Sequence, residues 1–305
     1  MDAALINLSC LSDELVMKGK LLSSEPMAAH TSWRVGGPAD NYYVPVDLED
    51  LSMFLAELCE DQQIFWLGLG SNLLVRDGGI RGTVIAAKGV LNEMLMKALG
   101  MKVGAGLTCA KAARFSARNG KSGAEFLAGI PGTIGGALAM NAGAFGSEMW
   151  NIVSSVETIN RKGELRVRSA ADFETRYRFV NIPNDEWFIS ANLILADEDI
   201  GKARFNIREL LAQRTASQPI GELSCGSVFR NPEGDFAARL IESCGLKGMS
   251  IGAAKVSEKH ANFIINSGSA NAADIEELIL HIKKVVLEQC QVDLQTEVRI
   301  VGEAL

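Results

Sequence analysis

Histidine is scarce in this chain, paired cysteines are missing, and basic residues are outnumbered. Each shortage removes a class of function. Three histidines, His30, His260 and His281, in 305 residues leave little material for a histidine-based metal centre or a serine–histidine triad. The six cysteines, Cys10, Cys59, Cys109, Cys225, Cys244 and Cys290, contain no C-x-x-C pair, so their spacing suggests neither a zinc site nor a disulfide framework. They read as mostly reduced, core-filling thiols in a reducing cytoplasm. No metal is expected. No apolar run approaches the ~20 residues that span a bilayer. The start Met1-Asp2-Ala3-Ala4 has neither the basic segment nor the apolar core of a secretory signal, and the expectation is a cytoplasmic protein without membrane insertion. With 30 Lys and Arg against 37 Asp and Glu, the formal net charge is −7, which argues against a general nucleic-acid binder.

What is present describes a folded protein. Hydrophobic residues make up 48% and charged residues 22%, the balance of a globular chain long enough for two or three domains. Residues 1–25 are read as an N-terminal helix or arm. Strands are expected at 41–46, 64–67, 73–75 and 83–86, with Asp47 capping a helix that carries Leu48, Leu51, Leu55 and Leu58. A second lobe starts near Lys88, with a strand at 101–103, a helix capped by Thr108 and ended near Asn119-Gly120, a hairpin over 152–168, and a strand at 187–195. The third has a helix at 205–213, a strand at 227–229, a helix capped by Asp235 and ended by Gly245, short strands near Ile251 and at 263–265, and a closing strand at 298–301. Its longest helix, 272–289, lines up Ile275, Leu278, Ile279, Ile282 and Val286 on one face. The lobe boundaries are 1–87, 88–203 and 204–305.

The run from Gly129 to Ala144 is the most informative local feature. It has five glycines and no charged side chain. Such a wall lets backbone approach a ligand closely, with free N–H groups facing it, and suits a large flat ligand better than a metal ion. The competing reading is a packed glycine turn. Gly68-Leu69-Gly70-Ser71-Asn72-Leu73 falls short of a dinucleotide fingerprint, because Leu73 stands at the third glycine and strand, not helix, follows. A nest of N–H groups with the Ser71 hydroxyl and Asn72 amide could still hold phosphates, or the segment is a plain turn. Asn119-Gly120-Lys121-Ser122 is no Walker loop, since Phe115 occupies the position of its first glycine.

Seven ordered blocks then carry a resemblance: Thr31-x-x-Arg34-x-Gly36-Gly37-Pro38-Ala39, Leu69 to Leu74, Gly129 to Gly136, Tyr177-Arg178, Gly226-Ser227-Val228-Phe229 with Asn231-Pro232, Val256 to Phe263, and Glu297-Val298-Arg299. Over about residues 26–302 the chain closely resembles the UDP-N-acetylenolpyruvoylglucosamine reductases, in their shorter subclass. The resemblance implies an α+β fold: a two-lobed FAD-binding domain of the vanillyl-alcohol-oxidase type plus a C-terminal α+β substrate-binding domain. It implies FAD as cofactor, NADPH as reductant, and a small-molecule UDP-sugar substrate in peptidoglycan precursor synthesis, with no protein partner.

By the same resemblance Gly68, Leu69, Gly70, Ser71, Asn72 and Leu73 cradle the pyrophosphate, and Gly129, Ile130, Pro131, Gly132, Ile134, Gly135, Gly136, Asn141, Gly143 and Ala144 line the flavin. Arg178 is implied to stabilise negative charge, with Glu297 in the same constellation, and Ser227 to donate the proton. Tyr177, Arg214, Asn231, Lys259, His260 and Arg299 are implied to meet the substrate, and Asn262 lies in the same block as Lys259. Two positions depart from the family pattern. Val180 replaces a serine, which removes a hydroxyl near Arg178. Cys225 replaces an alanine, as an oxidant-sensitive thiol or a small buried substitute. Two rivals stand beside this reading: an FAD-dependent oxidase of the same superfamily, and a non-catalytic nucleotide-sugar binder.

Overall fold

In the computed structural model, which describes residues 17–305, six α-helices are present: α1 Leu48–Glu57, α2 Cys109–Arg118, α3 Ile134–Met140, α4 Ile200–Ser217, α5 Ala237–Ser243 and α6 Ala272–Cys290. The local signals for most of them are visible in the sequence. The Asp47 carboxylate accepts from the Asp50 amide at 2.8 Å and starts α1. Thr108 does the same for α2, and Asn271 and Asp274 form a capping box on α6. The helix α3 is new. It lies inside the glycine-rich run, is capped by Thr133, and buries Ile134 and Leu138 one turn apart.

The chain divides into two units. The first holds residues 17–24, Asp40–Gly68 and Gly82–Leu210. It contains a five-stranded antiparallel sheet in the order Leu165–Ser169, Val153–Asn160, Glu186–Ile194, Gly100–Gly104, Met94–Lys97. It also holds most of a four-stranded sheet in the order Lys20–Pro26, Pro38–Val44, Ile80–Ala86, Ile64–Leu67, whose last pair is parallel. Leu51, Phe54 and Leu55 of α1 pack with Tyr43, Ile85, Ile159 and Ile189, and the Tyr43 and Phe54 rings stack at 3.6 Å.

The second unit holds Glu25–Ala39, Leu69–Arg81 and Leu211–Leu305. Its three-stranded antiparallel sheet runs Ser250–Ile251, Ala254–Val256, Ile264–Asn266, and the strand Arg299–Val301 pairs in parallel with Leu73–Val75. The apolar face expected of α6 is the buried one: Ile275, Leu278, Ile279, Ile282 and Val286 pack with Trp33, Val228, Phe229, Leu240 and Ile264. Removing each such side chain from water contributes about 1.5–3 kcal/mol. Both Asp77 carboxylate oxygens accept from the first amides of α6, Ala272 and Ala273, at 3.0 Å.

Three local expectations are corrected. Within the supposed arm of 1–25, residues 20–26 form a strand, and 1–16 lie outside the described residues. Residues 227–229 form no strand; Phe229 makes only an isolated bridge to Thr296, because a side-chain amide takes its remaining backbone groups. Asp235 does not cap α5. Its carboxylate pairs with Arg239, which holds its pKa down at about 2, and the Ala237 amide donates to Asn231 Oδ1 at 3.1 Å instead. The thiol reading also changes at one position. Cys59 is disulfide-bonded, whereas Cys109, Cys225, Cys244 and Cys290 are free. Sequence spacing carries no information on a pairing that depends on which Cβ atoms meet in space.

Candidate active site

In the first unit the glycine-rich run separates into two faces. Ile134, Ala137 and Leu138 are buried, while Pro131 and Gly136 are exposed. The amides of Ile134 and Gly135 donate to Leu107 and Ala105 carbonyls at 2.8 Å, and that of Gly136 donates to Thr133 Oγ1. These three N–H groups therefore do not face a ligand as the sequence suggested; α3 uses them to dock and cap itself. The glycines differ in kind. A Cβ at Gly68 would lie 2.5 Å from Thr133 Oγ1, one at Gly129 would lie 2.4 Å from the Phe145 ring, and one at Gly135 would lie 3.0 Å from Ala105 Cβ. Those positions are small because protein packs on them. At Gly136 the nearest atom would be 3.6 Å away, an ordinary contact, so packing does not demand a glycine there. The exposed surface of Pro131 and Gly136, with half-exposed Gly132 beside them, fits the close approach of a flat ring system. FAD suits this surface.

Tyr177 and Arg178 form the turn between the paired strands Thr175–Arg176 and Phe179–Val180. Arg178 is held at φ 56°, a left-handed conformation that is strained for a residue with a side chain by about 1–3 kcal/mol. Its guanidinium donates to the Gly143 carbonyl at 3.0 Å and the Asn141 carbonyl at 3.4 Å, lies over the Tyr177 ring, and is 3.9 Å from Glu148 Oε1. Asn141, itself left-handed at φ 46°, donates to Glu148 Oε2 at 2.8 Å and to the Arg176 carbonyl, and accepts from the Trp150 amide. The buried Asn141 amide thus organises the Arg178 turn. Glu148 is a residue the sequence reading missed, since nothing local ties it to an arginine 30 positions on. Val180 is buried and apolar, so the missing serine leaves no polar gap.

In the second unit, Gly70 has φ 62°, and a Cβ there would lie 2.1 Å from the His30 carbonyl. The Asn72 side chain donates to the Glu297 carbonyl at 3.0 Å, and the Arg299 amide donates to the Asn72 carbonyl at 3.1 Å. The loop therefore continues into strand, as expected. The Glu297 amide in turn donates to the Val228 carbonyl at 2.8 Å, which places the Ser227 and Glu297 segments side by side. Cys225 is buried, its thiol donates to the Leu73 carbonyl, and burial raises its pKa to about 12. It is the small buried substitute and not a reactive thiol.

The remaining residues predicted to meet substrate are also in this unit, except Tyr177. Arg214, on α4, donates to Gln218 Oε1 at 2.9 Å, and burial lowers its pKa. Asn231 caps α5. Lys259 is exposed and donates to the Thr215 carbonyl at 2.6 Å. A recess of about 330 Å³ opens beside it, whose wall includes Lys255, Ser257 and Ser267 as well as Glu222 and Glu258. His260 accepts the Asn262 amide on Nδ1 at 3.3 Å, and burial keeps its pKa below the ordinary imidazole value, so the ring is neutral near pH 7. Arg299 is exposed at the start of its strand.

Comparison with known proteins gives the family. Residues 39–168 match an FAD binding domain, and residues 218–301 match the UDP-N-acetylenolpyruvoylglucosamine reductase C-terminal domain. The chain is 57% identical over 290 residues to the UDP-N-acetylenolpyruvoylglucosamine reductase of Methylococcus capsulatus, covering 94% of this chain and 95% of that one. It is 56% identical over 289 residues to that of Legionella pneumophila, covering 94% of each. The crystal structure of UDP-N-acetylenolpyruvylglucosamine reductase from Thermus caldophilus superimposes with a TM-score of 0.81 at 32% identity, covering 94% of this chain and all of that one. A 6-hydroxy-D-nicotine oxidase from Arthrobacter nicotinovorans shares the fold at a TM-score of 0.57 and 10% identity, covering 91% of this chain and 87% of that one.

Proposed function

From the premise that this chain belongs to the UDP-N-acetylenolpyruvoylglucosamine reductase family, and so is an FAD-dependent oxidoreductase, we propose that it uses NADPH to reduce the enolpyruvyl group of UDP-N-acetylglucosamine enolpyruvate, yielding UDP-N-acetylmuramate for peptidoglycan precursor synthesis. In this reading 1–87 and 88–203 are flavin lobes, 204–305 is the substrate domain, and the enzyme acts in the cytoplasm, where its nucleotide substrates are held. FAD, when bound, supplies hydride transfer from the nicotinamide to the terminal vinyl carbon of the substrate.

The chain's own residues manage charge and proton. Hydride addition leaves negative charge on the neighbouring carbon and its carboxylate. The Arg178 guanidinium, preorganised by the Asn141 and Gly143 carbonyls, stabilises that charge more in the transition state than in the ground state. Ser227 Oγ–H donates the proton that quenches it, with Glu297 held in the adjacent segment. Arg214 and Arg299 hold the anionic end of the substrate, and arginine suits phosphate because its planar fork donates two bonds. Tyr177, Asn231, Lys259 and His260 contribute further contacts.

The observation that carries the reading is the strained Arg178 turn, a conformation that persists because two backbone carbonyls and a carboxylate surround its head group. The test is anaerobic reduction with NADPH followed by stopped-flow mixing with the enolpyruvyl nucleotide sugar. The flavin absorbance bleaches in the first step and returns in the second. Return with oxygen but not with the sugar would establish the oxidase instead, and a flavin that NADPH never bleaches would establish a binding protein.

A further inference from the structure

We propose that Asn262 is a positioning residue that sets the Ser227 segment for proton donation, an inference that rests on the functional reading above. Asn262 is 3% exposed, and its side-chain amide and backbone carbonyl all bond to that segment. Its Oδ1 accepts from the Phe229 amide at 2.9 Å, its Nδ2 donates to the Phe229 carbonyl at 2.8 Å, and its own carbonyl accepts from the Val228 amide at 2.9 Å. The side chain thus imitates a neighbouring strand where no strand exists. On the opposite side Val228 accepts from the Glu297 amide, so the residue next to Ser227 is clamped from both directions. Only an amide of this length satisfies both groups of Phe229. Aspartate of equal size cannot donate, and leaves a buried carbonyl facing a carboxylate. On the N-terminal side Gly226, at φ 73°, has nothing within 4 Å of where a Cβ would lie, so the bonds to Val228 and Phe229 are the nearest restraints on Ser227 from the C-terminal side.

The FAD-loaded Asn262→Asp and Asn262→Gln variants test this. Flavin content and the rate of reduction by NADPH stay within about twofold of the parent. Reoxidation by the enolpyruvyl sugar slows by about tenfold or more, the effect of one lost buried hydrogen bond. Its solvent deuterium isotope effect grows as proton donation becomes limiting. Equal loss in both half-reactions, unchanged reoxidation, or loss of flavin and fold in both variants overturns the inference and leaves Asn262 a purely structural residue. A parent enzyme that is reduced but never reoxidised by the sugar brings down the functional reading itself, and the inference with it.

A separate observation concerns thiols remote from this clamp. Cys244 Sγ, at the end of α5, lies 3.5 Å from Cys290 Sγ, at the end of α6, and both residues are half-exposed. The geometry points to a disulfide-forming modification site that takes a peroxide as oxidant. One thiolate attacks a peroxide oxygen, giving a sulfenic acid and hydroxide. The second thiol attacks that sulfur and displaces water, so that two thiols and one hydrogen peroxide give one disulfide and two waters. Mild treatment of the native protein with hydrogen peroxide removes two titratable thiols, restored by a thiol reductant. Peptide mass mapping then joins the Cys244 and Cys290 peptides, and neither Cys244→Ser nor Cys290→Ser forms the link. Persistent free thiols, or separate sulfinic acids on the two residues, overturn the assignment.

Discussion

Two glycines one position apart show how residue-scale environment separates structure from function. Gly135 is small because Ala105 packs on it, whereas Gly136 is small without a protein neighbour that demands it. Gly136→Val is therefore expected to fold normally yet lose most of its FAD, and Gly135→Val to lower the thermal midpoint as well. Flavin content and melting curves of the two variants distinguish them, and equal flavin retention in both would remove the proposed contact surface. Ser227→Ala bears on chemistry. Reduction by NADPH stays near the parent rate while reoxidation by the enolpyruvyl sugar falls by orders of magnitude, because only the second half needs a proton donor. Stopped-flow traces of each half-reaction check it, and a matching fall in both would contradict that role.

Among the elements, α6 organises the second unit. Its five buried aliphatic residues lie on one stripe, and its N-terminal amides are held by Asn271 and Asp77. Leu278→Ala is expected to cost about 2–5 kcal/mol, because a fully buried leucine leaves a cavity that its neighbours fill only in part. Urea titration measures this, and a change under about 1 kcal/mol would mean that the core collapses around the site. The capping residues of α1 and α2 were legible in the sequence because a cap depends on neighbours three positions away. The helix α3 was not, because glycine content argues against helix locally and burial of Ile134 and Leu138 outweighs it.

At the scale of the whole molecule, stability depends on pH through groups whose folded pKa is depressed. Burial lowers His260, and pairing with Arg168 lowers Glu186. For both, the unfolded chain binds more protons in the window between the two pKa values, so stability is present above the unfolded value and lost as pH falls toward the folded one. The thermal midpoint should hold steady above about pH 7, decline first as pH drops below the ordinary imidazole value of about 6.5, and decline again below the ordinary carboxylate value of about 4.3. His260→Gln shrinks the first decline, and Glu186→Gln shrinks the second, to which Asp235, Glu157 and Asp50 also contribute. A midpoint that rises on acidification, or variants that leave the profile unchanged, would contradict these assignments. Added FAD should raise the midpoint by mass action wherever the folded form alone binds it.

Legible along the chain were the capped starts of α1 and α2, the strands at 64–67 and 73–75, the α6 core stripe, and the order of the blocks that carry the family resemblance. These signals are local: a period, a cap or a turn is complete within a few residues. Tertiary structure decided the rest. It distinguished Gly136 from Gly135, gave Arg178 its left-handed turn through the carbonyls of Asn141 and Gly143, buried Cys225 as an inert thiol, and brought Asn262 onto Phe229 across 33 positions. The physical reason is that a side chain's chemistry depends on which polar groups and how much space surround it, and in a folded chain those neighbours come from distant segments.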